Sequence, residues 1–411
     1  MKFETLSVIG LGYIGLPTAA TFASRGLKVV GVDVNLRAVD TINRGEIHII
    51  EPDLDIVVRS VVQAGNLRAT TVPEPADAFI VAVPTPFKED KQPDLSYIES
   101  AARAIAPVLR AGNLVILEST SPVGATEQMA AWLAESRPDL SFPQQAGEAA
   151  DICVAHCPER VLPGKVLVEL VNNDRVIGGM TARCSAAATS LYKLFVQGEC
   201  VVTNARTAEM CKLTENSFRD VNIAFANELS MICDKLDINV WELIRLANRH
   251  PRVSILQPGP GVGGHCIAVD PWFIVASAPD EARLISTSRQ VNDLKPHWVI
   301  KRVIRKIASL EKKRPLIACL GVTFKADIDD LRESPAIEIY RALSSIKDID
   351  VVAVDPNVSL EVAEANGLVM RELDFVLLQA DLVIVLVGHR QFRAASEALE
   401  SRAVIDCVGV L

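Results

Sequence analysis

One cysteine of the chain stands directly behind a glycine-rich loop. The loop runs from Gly259 to Gly264, Cys266 follows it, and Asp270 lies four positions further on. A thiol in such a place can attack an aldehyde carbon and hold the aldehyde as a covalent adduct. A buried structural cysteine is the competing interpretation, because cysteine is often fully buried. The four glycines of the loop favour the nucleophile, since a segment that only fills a core would avoid the disorder that glycine brings.

A second glycine-rich turn lies near the start of the chain. Residues 5–9 have the pattern of a buried strand, residues 17–24 that of a helix, and residues 28–32 that of a second strand ending at Asp33. The turn after the first strand is Gly10-Leu11-Gly12-Tyr13-Ile14-Gly15. A strand, a glycine turn, a helix and a strand within about 30 residues form the unit that binds the pyrophosphate of a dinucleotide.

Four residues of this unit have separate expected roles. Gly10 permits a tight bend, Gly12 lets the backbone approach a pyrophosphate, and Gly15 allows the helix to pack closely. Asp33 is placed to accept hydrogen bonds from a ribose diol and to repel a 2'-phosphate, so the sequence predicts NAD rather than NADP. A glycine-rich turn without a ligand is the alternative, and the complete unit makes it the weaker one.

The thiol and the dinucleotide turn together indicate a four-electron oxidation. A nicotinamide dehydrogenase that only converts an alcohol to a carbonyl has no need of a thiol. An enzyme that continues to the carboxylate needs a nucleophile to hold the aldehyde for a second hydride transfer. A thiol of pKa ~8.5 is mostly protonated at neutral pH, so Cys266 would need a positively charged neighbour, and Lys212 is the candidate.

Two polar stretches follow predicted strands, at the sheet edge where ligands of such folds bind. Thr85 lies between two prolines, and Thr120 belongs to the stretch Ser119-Thr120-Ser121-Pro122. A helix with Ser121 as its N-cap and Pro122 as its first residue would explain the second stretch structurally and leave Thr120 free for a site.

Lys212 and Asn216 are four residues apart in a predicted helix and therefore share one face. A lysine beside an amide could stabilise negative charge on a substrate oxygen. A lysine that is merely solvated is the alternative, and spacing alone favours that simpler interpretation.

The composition limits the possible classes of protein. Acidic residues number 51 against 42 basic ones, so the net charge of -9 gives no electrostatic footprint for nucleic acid or an anionic membrane. Nine cysteines without a CxxC pair or a zinc spacing indicate reduced thiols of a cytoplasmic protein without a metal site. The chain shows no signal-peptide pattern and no apolar run of the ~18 residues that a membrane span requires, so membrane insertion is not expected.

The order of elements predicts an α/β fold with two doubly wound Rossmann-like domains joined by a central all-helical dimerisation region. Alternating strands and helices predict an NAD-binding domain with an open parallel sheet over residues 1–203. Residues 204–296 are helical, and the apolar positions of a long helix from Thr207 to Leu236 recur near a 3.6-residue period. Alternation returns over residues 297–411, without a second GxGxxG turn. So much apolar helix surface predicts a homodimer or a higher homo-oligomer.

These residues, in this order, resemble the UDP-glucose/GDP-mannose dehydrogenase family over essentially the whole chain. Within the family, residues 157–164, 247–252 and 265–272 are similar to the branch that acts on UDP-N-acetyl-D-mannosamine in enterobacterial common antigen synthesis. The UDP-glucose members carry a lysine just before the aspartate of the cysteine motif, where this chain has Val269, so glucose is a less expected substrate. A third domain that binds the UDP-sugar, over residues 297–411, is implied as well.

The resemblance implies a reaction and assigns residues to it. The C6 hydroxyl of UDP-N-acetyl-D-mannosamine would be oxidised in two hydride transfers to NAD, through a thiohemiacetal and a thioester on the cysteine, to the uronate that supplies cell-surface polysaccharide. The implied catalytic residues are Cys266, Lys212, Asn216, Asp270, Glu159 and Thr120. The implied cofactor contacts are Gly10, Gly12, Tyr13, Ile14, Gly15, Asp33, Thr85, Thr120 and Arg332. The implied substrate contacts are Glu159, Arg160, Val161, Lys212, Asn216, Gly263, Lys325 and Arg252, the last of which would reach the neighbouring subunit's substrate.

Other functions remain open on the sequence. UDP-N-acetylglucosamine or UDP-glucose could be the substrate, because a pocket can distinguish epimers through a few contacts. A two-electron hydroxyacid dehydrogenase would share the fold and the lysine-asparagine spacing, but it would not explain Cys266 or the third domain. A protein that binds NAD and a UDP-sugar without turnover is the non-enzymatic alternative, and the presence of Cys266, Lys212 and Glu159 opposes it.

Overall fold

The structure is a computed structural model that describes residues 2–88, 91–162, 164–264 and 266–411. It comprises two compact units. The first consists of Met1–Glu215 with Trp272–Ser277, and the second of Asn216–Pro271 with Ala278–Leu411. Among the described residues, no helix combines the length and the apolar character that crossing a membrane requires.

The elements of the first part of the chain alternate between strand and helix. They are β1 (Thr5–Ile9), α1 (Gly15–Ser24), β2 (Lys28–Val32), α2 (Leu36–Asn43), α3 (Leu54–Gln63), β3 (Leu67–Thr70), β4 (Ala78–Val81), α4 (Ser96–Ile105), β5 (Leu114–Leu117), α5 (Ala125–Ser136), α6 (Pro143–Ala146), β6 (Cys153–His156), α7 (Val166–Asn172), β7 (Arg175–Gly179), α8 (Ala182–Tyr192) and β8 (Cys200–Asn204). Two short 3-10 helices lie at Ala106–Val108 and Gly147–Ala149.

The eight strands form one sheet in the order β3-β2-β1-β4-β5-β6-β7-β8. Six strands, from β3 to β6, are mutually parallel, and helices cover both faces, each with its own apolar core. The predicted open parallel sheet is confirmed in these six strands, whereas β7 runs antiparallel to β6 and β8 runs parallel to β7. The alternation of apolar residues is the same in both strand directions, so the sequence pattern carried no sign of this reversal.

Helices follow this sheet along the chain. They are α9 (Ala205–Leu236), α10 (Val240–Ala247), α11 (Asp270–Ser277) and α12 (Arg283–Ala308). The predicted long helix is confirmed with two more residues at its start. Helix α11, directly behind the cysteine, was not predicted, because its eight residues are apolar on nearly all sides and lack a helical period.

The last part of the chain alternates again. Its elements are β9 (Leu316–Leu320), α13 (Pro335–Ser344), β10 (Asp350–Val354), α14 (Leu360–Ala365), α15 (Leu373–Gln379), β11 (Leu382–Val385), α16 (Arg390–Ala394), α17 (Ser396–Glu400) and β12 (Val404–Asp406). The strands form a parallel sheet in the order β10-β9-β11-β12, with an apolar core on each face. The predicted α/β fold, with two Rossmann-like sheets and a helical region between them in the sequence, is confirmed.

Candidate functional site

The first glycine turn lies at the carboxyl end of β1. Gly10 has a φ of +92° and donates its amide to the carbonyl of Val32 at 2.8 Å, which fixes the bend. The carboxylate of Asp33 accepts the amides of Leu11 at 2.9 Å and Asn35 at 2.8 Å. Two of its lone pairs therefore hold the turn, and the others remain for the two hydroxyls of a ribose.

The other glycines of the turn differ in what a side chain would meet. A Cβ on Gly15 would lie 1.8 Å from the carbonyl oxygen of Gly10, so only glycine lets α1 begin here. A Cβ on Gly12 would meet no atom within 4 Å. Protein packing thus requires Gly15 but not Gly12, and the open space beside Gly12 is where a pyrophosphate would approach the backbone. The turn therefore fits the dinucleotide that its sequence predicts.

The polar stretches that follow β4 and β5 lie at the same edge of this sheet. Thr120 is half-buried, and the hydroxyl oxygen of Thr85 is buried with no hydrogen-bond partner among the described residues. The hydroxyl of Ser119 donates to the carbonyl of Val83 at 2.6 Å, which ties the two stretches together. Thr85 and Thr120 thus lie at the same edge of the sheet, and their role in binding a ligand stays a prediction.

Ser121 is not a helix N-cap, so the structural explanation of its stretch was wrong. Helix α5 begins at Ala125 behind Gly124, and its first amides find another partner. The carboxylate of Glu209, from α9, accepts the amide of Gly124 at 2.7 Å and that of Thr126 at 2.8 Å. A carboxylate distant in sequence replaces the local cap, and the sequence could not show it.

Glu159 lies just beyond the end of β6 and is 7% exposed. One of its carboxylate oxygens has no hydrogen-bond partner among the described residues. Burial raises the pKa of this carboxyl to about 7, although the charges of Lys212 and Arg175 act to lower it. A carboxyl group that titrates near neutral pH is suited to general base catalysis.

Glu159 is influenced by a buried polar cluster that the sequence analysis did not predict. Arg175 belongs to this cluster, and its charge acts on the carboxyl group of Glu159. The guanidinium of Arg175 contacts Glu118 at 2.8 Å and lies 4.3 Å from the ring centroid of Tyr192, whose hydroxyl donates to Glu118 at 3.0 Å. Glu118 directly follows the apolar strand β5. A charged residue at the end of such a strand is a signal that could have marked this position in the sequence.

Arg160 and Val161, the two predicted substrate contacts that follow Glu159, lie nearer the surface. Arg160 is half-buried and forms an ion pair with Glu215 at 2.7 Å, while its Nη1 donates to the carbonyl of Asp174 at 3.2 Å. Val161 packs against the apolar core of the first sheet. Side-chain contacts thus hold Arg160 and Val161 in place.

In the second unit, Cys266 is exposed rather than buried, which contradicts the structural interpretation of this cysteine. The loop before it depends on glycine. Gly264 has a φ of +83°, and a Cβ on Gly263 would lie 2.3 Å from the carbonyl oxygen of Glu333. The carbonyl of Cys266 accepts the amide of Asp270 at 2.9 Å, so the cysteine starts the turn that leads into α11.

Asn216 and Asp270, both predicted site residues, are in contact. The side-chain amide of Asn216 on α9 donates to the carboxylate of Asp270 at the start of α11, and both side chains are buried. This hydrogen bond joins α9, which carries Lys212 and Asn216, to the segment that contains Cys266. The two residues are 54 positions apart, so their spacing gave no sign of the contact.

A second buried cluster, also missed, holds the glycine loop. The side chain of Asn227 on α9 accepts the amide of Gly259 at 2.8 Å and donates to Asn292 on α12 at 2.9 Å. Asn292 donates in turn to Asp220 at 2.8 Å, and Asp220 is paired with Arg289 at 2.6 Å. Polar residues at core positions of a periodic helix, such as Asp220 and Asn227, are the sequence signal for such a cluster.

Three predicted binding residues of the second unit are exposed, namely Arg252, Lys325 and Arg332. Arg332 is held by Asp330, whose oxygens lie 2.9 and 3.0 Å from its Nε. Lys325 follows Thr323, whose hydroxyl donates to the Lys325 carbonyl at 2.9 Å. The structure thus places these three predicted binding residues at the surface.

Three segments match parts of one family. Residues 4–196 match the NAD binding domain of the UDP-glucose/GDP-mannose dehydrogenase family, residues 206–294 its central domain, and residues 318–411 its UDP binding domain.

Individual proteins are similar over the full length. The NDP-N-acetyl-D-galactosaminuronic acid dehydrogenase of Ralstonia nicotianae is 66% identical, over 100% of this chain and 97% of that protein. The UDP-N-acetyl-D-mannosamine dehydrogenase of Yersinia pestis is 65% identical, over 100% of both chains. A solved structure of the UDP-N-acetyl-mannosamine dehydrogenase of Staphylococcus aureus has a TM-score of 0.88 and 44% identity, over 99% of this chain and 95% of that chain.

Proposed function

The chain belongs to the UDP-glucose/GDP-mannose dehydrogenase family, and on that premise we propose that it oxidises the C6 hydroxyl of UDP-N-acetyl-D-mannosamine to the carboxylate with NAD. The observation that carries the proposal is Cys266, exposed at the end of a loop whose backbone requires glycine. The relatives named for N-acetylmannosamine, at 65% identity, support the sugar. The proposed domain limits are 1–203, 204–296 and 297–411, and the three family matches support them.

The residues of this chain would act in sequence. The turn from Gly10 to Gly15 and the carboxylate of Asp33 would hold NAD, which accepts one hydride in each of two oxidations. After the first, the thiolate of Cys266 adds to the aldehyde carbon as a thiohemiacetal; after the second, the adduct is a thioester. Water then replaces sulfur, so one alcohol, two NAD and one water give a carboxylate, two NADH and three protons.

Other side chains would stabilise charge and move protons. Lys212 and Asn216 would donate to the substrate oxygen in both tetrahedral species, where the loss of one donor typically costs about 2.7 to 4 kcal/mol. The hydrogen bond to Asp270 supports this role, because it would orient the amide of Asn216. Glu159, with a pKa of about 7, would remove a proton from the attacking water. Thr120 would assist the proton steps.

N-Acetylgalactosamine is the second candidate sugar. The relatives named for N-acetylgalactosaminuronic acid are 66% identical to this chain, so overall identity does not separate the two sugars. The two hexosamines differ at C2 and C4, and a pocket reads such differences through a few hydrogen bonds. The uronate from either sugar would feed cell-surface polysaccharide synthesis, of which enterobacterial common antigen is one case.

We further propose a cytoplasmic homodimer or higher homo-oligomer assembled through α9. Phe218, Phe225 and Ile232 repeat every seven residues on this helix, and all three are exposed, at 68%, 53% and 45%. A stripe of large apolar side chains is better buried against a second copy than left in water. Phe225→Asp should therefore dissociate the oligomer, with Glu228→Asp on the same helix as control. Light scattering of an active wild-type monomer would contradict the assembly.

The activity is tested by NADH formation with four UDP-sugars: those of N-acetylmannosamine, N-acetylgalactosamine, N-acetylglucosamine and glucose. We expect two NADH per acid, with N-acetylmannosamine giving the highest kcat/KM. Cys266→Ala should abolish acid formation while cofactor and sugar still bind, because only the covalent step is lost. Cys200→Ala, a half-buried thiol on β8, is the matched control. One NADH per turnover, or acid formation by folded Cys266→Ala, would exclude the proposed mechanism.

A further inference from the structure

A cavity of about 560 Å³ lies in the second unit. Its lining comes from the end of α9, the start of α10, the middle of α12 and the segment after β12, and it includes none of the residues to which the proposed function assigns a role. The volume is within the range of small-molecule sites, roughly 300 to 1,000 Å³. Its chemically distinctive lining residues are Lys295, Arg302, Trp241 and Trp298.

Lys295 is the unusual member of this lining, because it is only 3% exposed. Its ammonium donates to the hydroxyl of Ser230 and lies 4.1 Å from the ring centroid of Trp298. Within the described part of the chain, no carboxylate is within salt-bridge distance of this nitrogen. Burial lowers the pKa of Lys295 to about 8, so most of the side chain is still charged at neutral pH. Burial of a cation is unfavourable unless an anion pairs with it directly, and the charge of Asp234 offsets only part of this cost.

The acidic residues of the cavity are either bound by other groups or exposed. Asp234 is engaged by Arg302 at 3.0 Å and by Arg305 at 3.6 Å. The carboxylate of Asp406 accepts the amides of residues 408–411 at 2.6 to 2.9 Å. Asp237 is exposed, so water and salt screen its charge. The charge of Asp234 acts on Lys295 from beyond salt-bridge distance, so a direct partner for the ammonium would be an anionic ligand.

The indole rings of Trp241 and Trp298 indicate which chemical group such a ligand carries besides its anion. Trp241 and Trp298 give the cavity flat aromatic walls, against which a planar ring can stack, while Lys295 and Arg302 can bind a phosphate. We propose that the cavity is a second ligand site, which takes an aromatic phosphate of nucleoside monophosphate size. An aromatic phosphate would contact both the cations and the indole rings of the cavity. Inorganic phosphate would contact only the cations and leave both indoles without a stacked ring.

The cavity is connected to the glycine loop of Cys266. Pro258 lines the cavity and directly precedes Gly259, whose amide is held by Asn227. Asn292, the partner of Asn227, lies one helical turn before Lys295 on α12. A ligand in the cavity therefore contacts the same loop and helix that position Cys266, and its binding should change the reactivity of that thiol.

Pyridoxal 5'-phosphate is a direct probe of this site, since it combines a flat ring, a phosphate and an aldehyde. Its aldehyde condenses with a lysine amine to an imine and water, and borohydride then reduces the imine to a stable secondary amine. Peptide mass spectrometry should find Lys295 labelled about tenfold faster than the exposed Lys301 of the same helix, and GMP should slow the labelling. Equal rates at the two lysines, or no protection by GMP, would overturn the proposed site.

Equilibrium dialysis with labelled GMP tests binding without chemistry. NAD and UDP are present at saturating concentrations and fill the nucleotide sites of the proposed enzyme. The GMP that is bound per chain therefore reports only a further site. Wild-type protein and Lys301→Met should bind one GMP per chain, and Lys295→Met should bind it at least about tenfold more weakly. Equal binding by Lys295→Met, or none by the wild type, would overturn the site.

The coupling to the loop is tested in the same mixtures through the rate at which iodoacetamide alkylates Cys266. This readout needs no turnover, so it is independent of the proposed function. GMP should change the rate at least about twofold in the wild type and in Lys301→Met but not in Lys295→Met. A rate that GMP leaves unchanged in the wild type would overturn the coupling.

Discussion

The first strand of the N-terminal sheet, β1, and that of the C-terminal sheet, β9, are followed by the same backbone turn. In the first, Gly10 has a φ of +92° and donates to the carbonyl of Val32 at 2.8 Å; in the second, Gly321 has a φ of +84° and donates to Val354 at 2.8 Å. A Cβ would lie within 2.5 Å of a neighbouring residue at either glycine. Both turns therefore require glycine for the same steric reason.

The aspartate that ends the second strand also has the same backbone partners in both sheets. Asp33 and Asp355 each accept the amide of the residue after the glycine, at 2.9 and 2.8 Å, and the amide two positions beyond themselves, at 2.8 and 3.0 Å. In these glycine and aspartate contacts, the turn after β1 and the turn after β9 are the same.

The difference lies in what fills the space in front of each turn. Where the first turn has Gly12, the second has Thr323, which is completely buried. His389, also buried, places its Nε2 3.1 Å from the carboxylate of Asp355, and its Nδ1 accepts the amide of Asp327 at 3.0 Å. The second turn thus satisfies its own polar groups, whereas the first leaves space beside Gly12.

The same contrast extends along the first sheet. Beyond β4 and β6, the hydroxyl of Thr85 and one oxygen of Glu159 are buried without partners in the described part of the chain. Unsatisfied buried polar groups are unfavourable for folding, and they are retained where a ligand completes them. The two turns are therefore distinguished by the open space beside Gly12 and by unmet hydrogen bonds along the first sheet, and not by the backbone of the turn itself.

The largest expected effect is on stability, at Asp355. Asp355→Ala leaves the buried His389 and two amides without their acceptor, so the free energy of unfolding should fall by about 3 to 5 kcal/mol. Asp33→Ala is the matched variant, and its loss should be about 1 kcal/mol because water can reach the amides of the open turn. Urea unfolding of both variants measures the difference, and equal losses would show that the two turns are equally closed.

The next effect concerns catalysis, at Glu159. Glu159→Gln keeps the shape of the side chain but removes the general base, so release of the acid should slow about a hundredfold, which corresponds to about 2.7 kcal/mol. The thioester on Cys266 should then accumulate and be visible by mass spectrometry of the intact protein. Glu169→Gln, in α7, is the control. Normal acid release by Glu159→Gln would make the unsatisfied oxygen a structural feature only.

A smaller effect is expected for cofactor selection by Asp33. Asp33→Ala removes the acceptor of the ribose diol, so NAD should bind about tenfold more weakly, by roughly 1.4 kcal/mol. The preference over NADP should fall as well, because the charge that repels the 2'-phosphate is gone. Fluorescence titration with both cofactors gives the ratio of dissociation constants. An unchanged ratio would assign the selectivity to other residues.

Sequence patterns predicted the local part of this structure. The bounds of β1 and β2 agree with the prediction to the residue, because strand patterns and glycine turns act over a few neighbours. The direction of β7 was not predictable, since an apolar strand reads the same in either direction. The predicted N-cap of α5 was wrong for a related reason. The carboxylate that accepts the first amides of this helix belongs to Glu209, on a helix that is distant in the sequence.

The candidate site was predictable in its residue types and not in its contacts. Cys266 is exposed behind its glycine loop, and Asn216 contacts Asp270, but spacing could show neither. The pairing of Arg175 with Glu118 joins residues 57 positions apart. Such pairs are brought together by the sheet order and by helix packing, which no local pattern contains. The chemical roles of these residues stay predictions.

The smallest expected effect is a pH dependence that separates the two sheets. Burial raises the pKa of Glu159 to about 7, whereas hydrogen bonds from His389 and the amide of Val322 outweigh burial and lower the pKa of Asp355. Of these two carboxyl groups, only Glu159 should titrate near neutral pH. Its ionised form is the base, so the rate of acid release should rise less than tenfold between pH 6 and 7 and level off above pH 8.

Stability should follow the opposite course. A carboxyl group with a raised pKa favours the folded state below its unfolded pKa, and this contribution is lost as the pH rises through about 7. In Glu159→Gln the free energy of unfolding should therefore decline less between pH 5 and 8, while Asp355→Asn should keep the wild-type slope over that range. Urea unfolding at four pH values checks this, and parallel slopes for wild type and Glu159→Gln would show that Glu159 is solvated like an ordinary surface carboxylate.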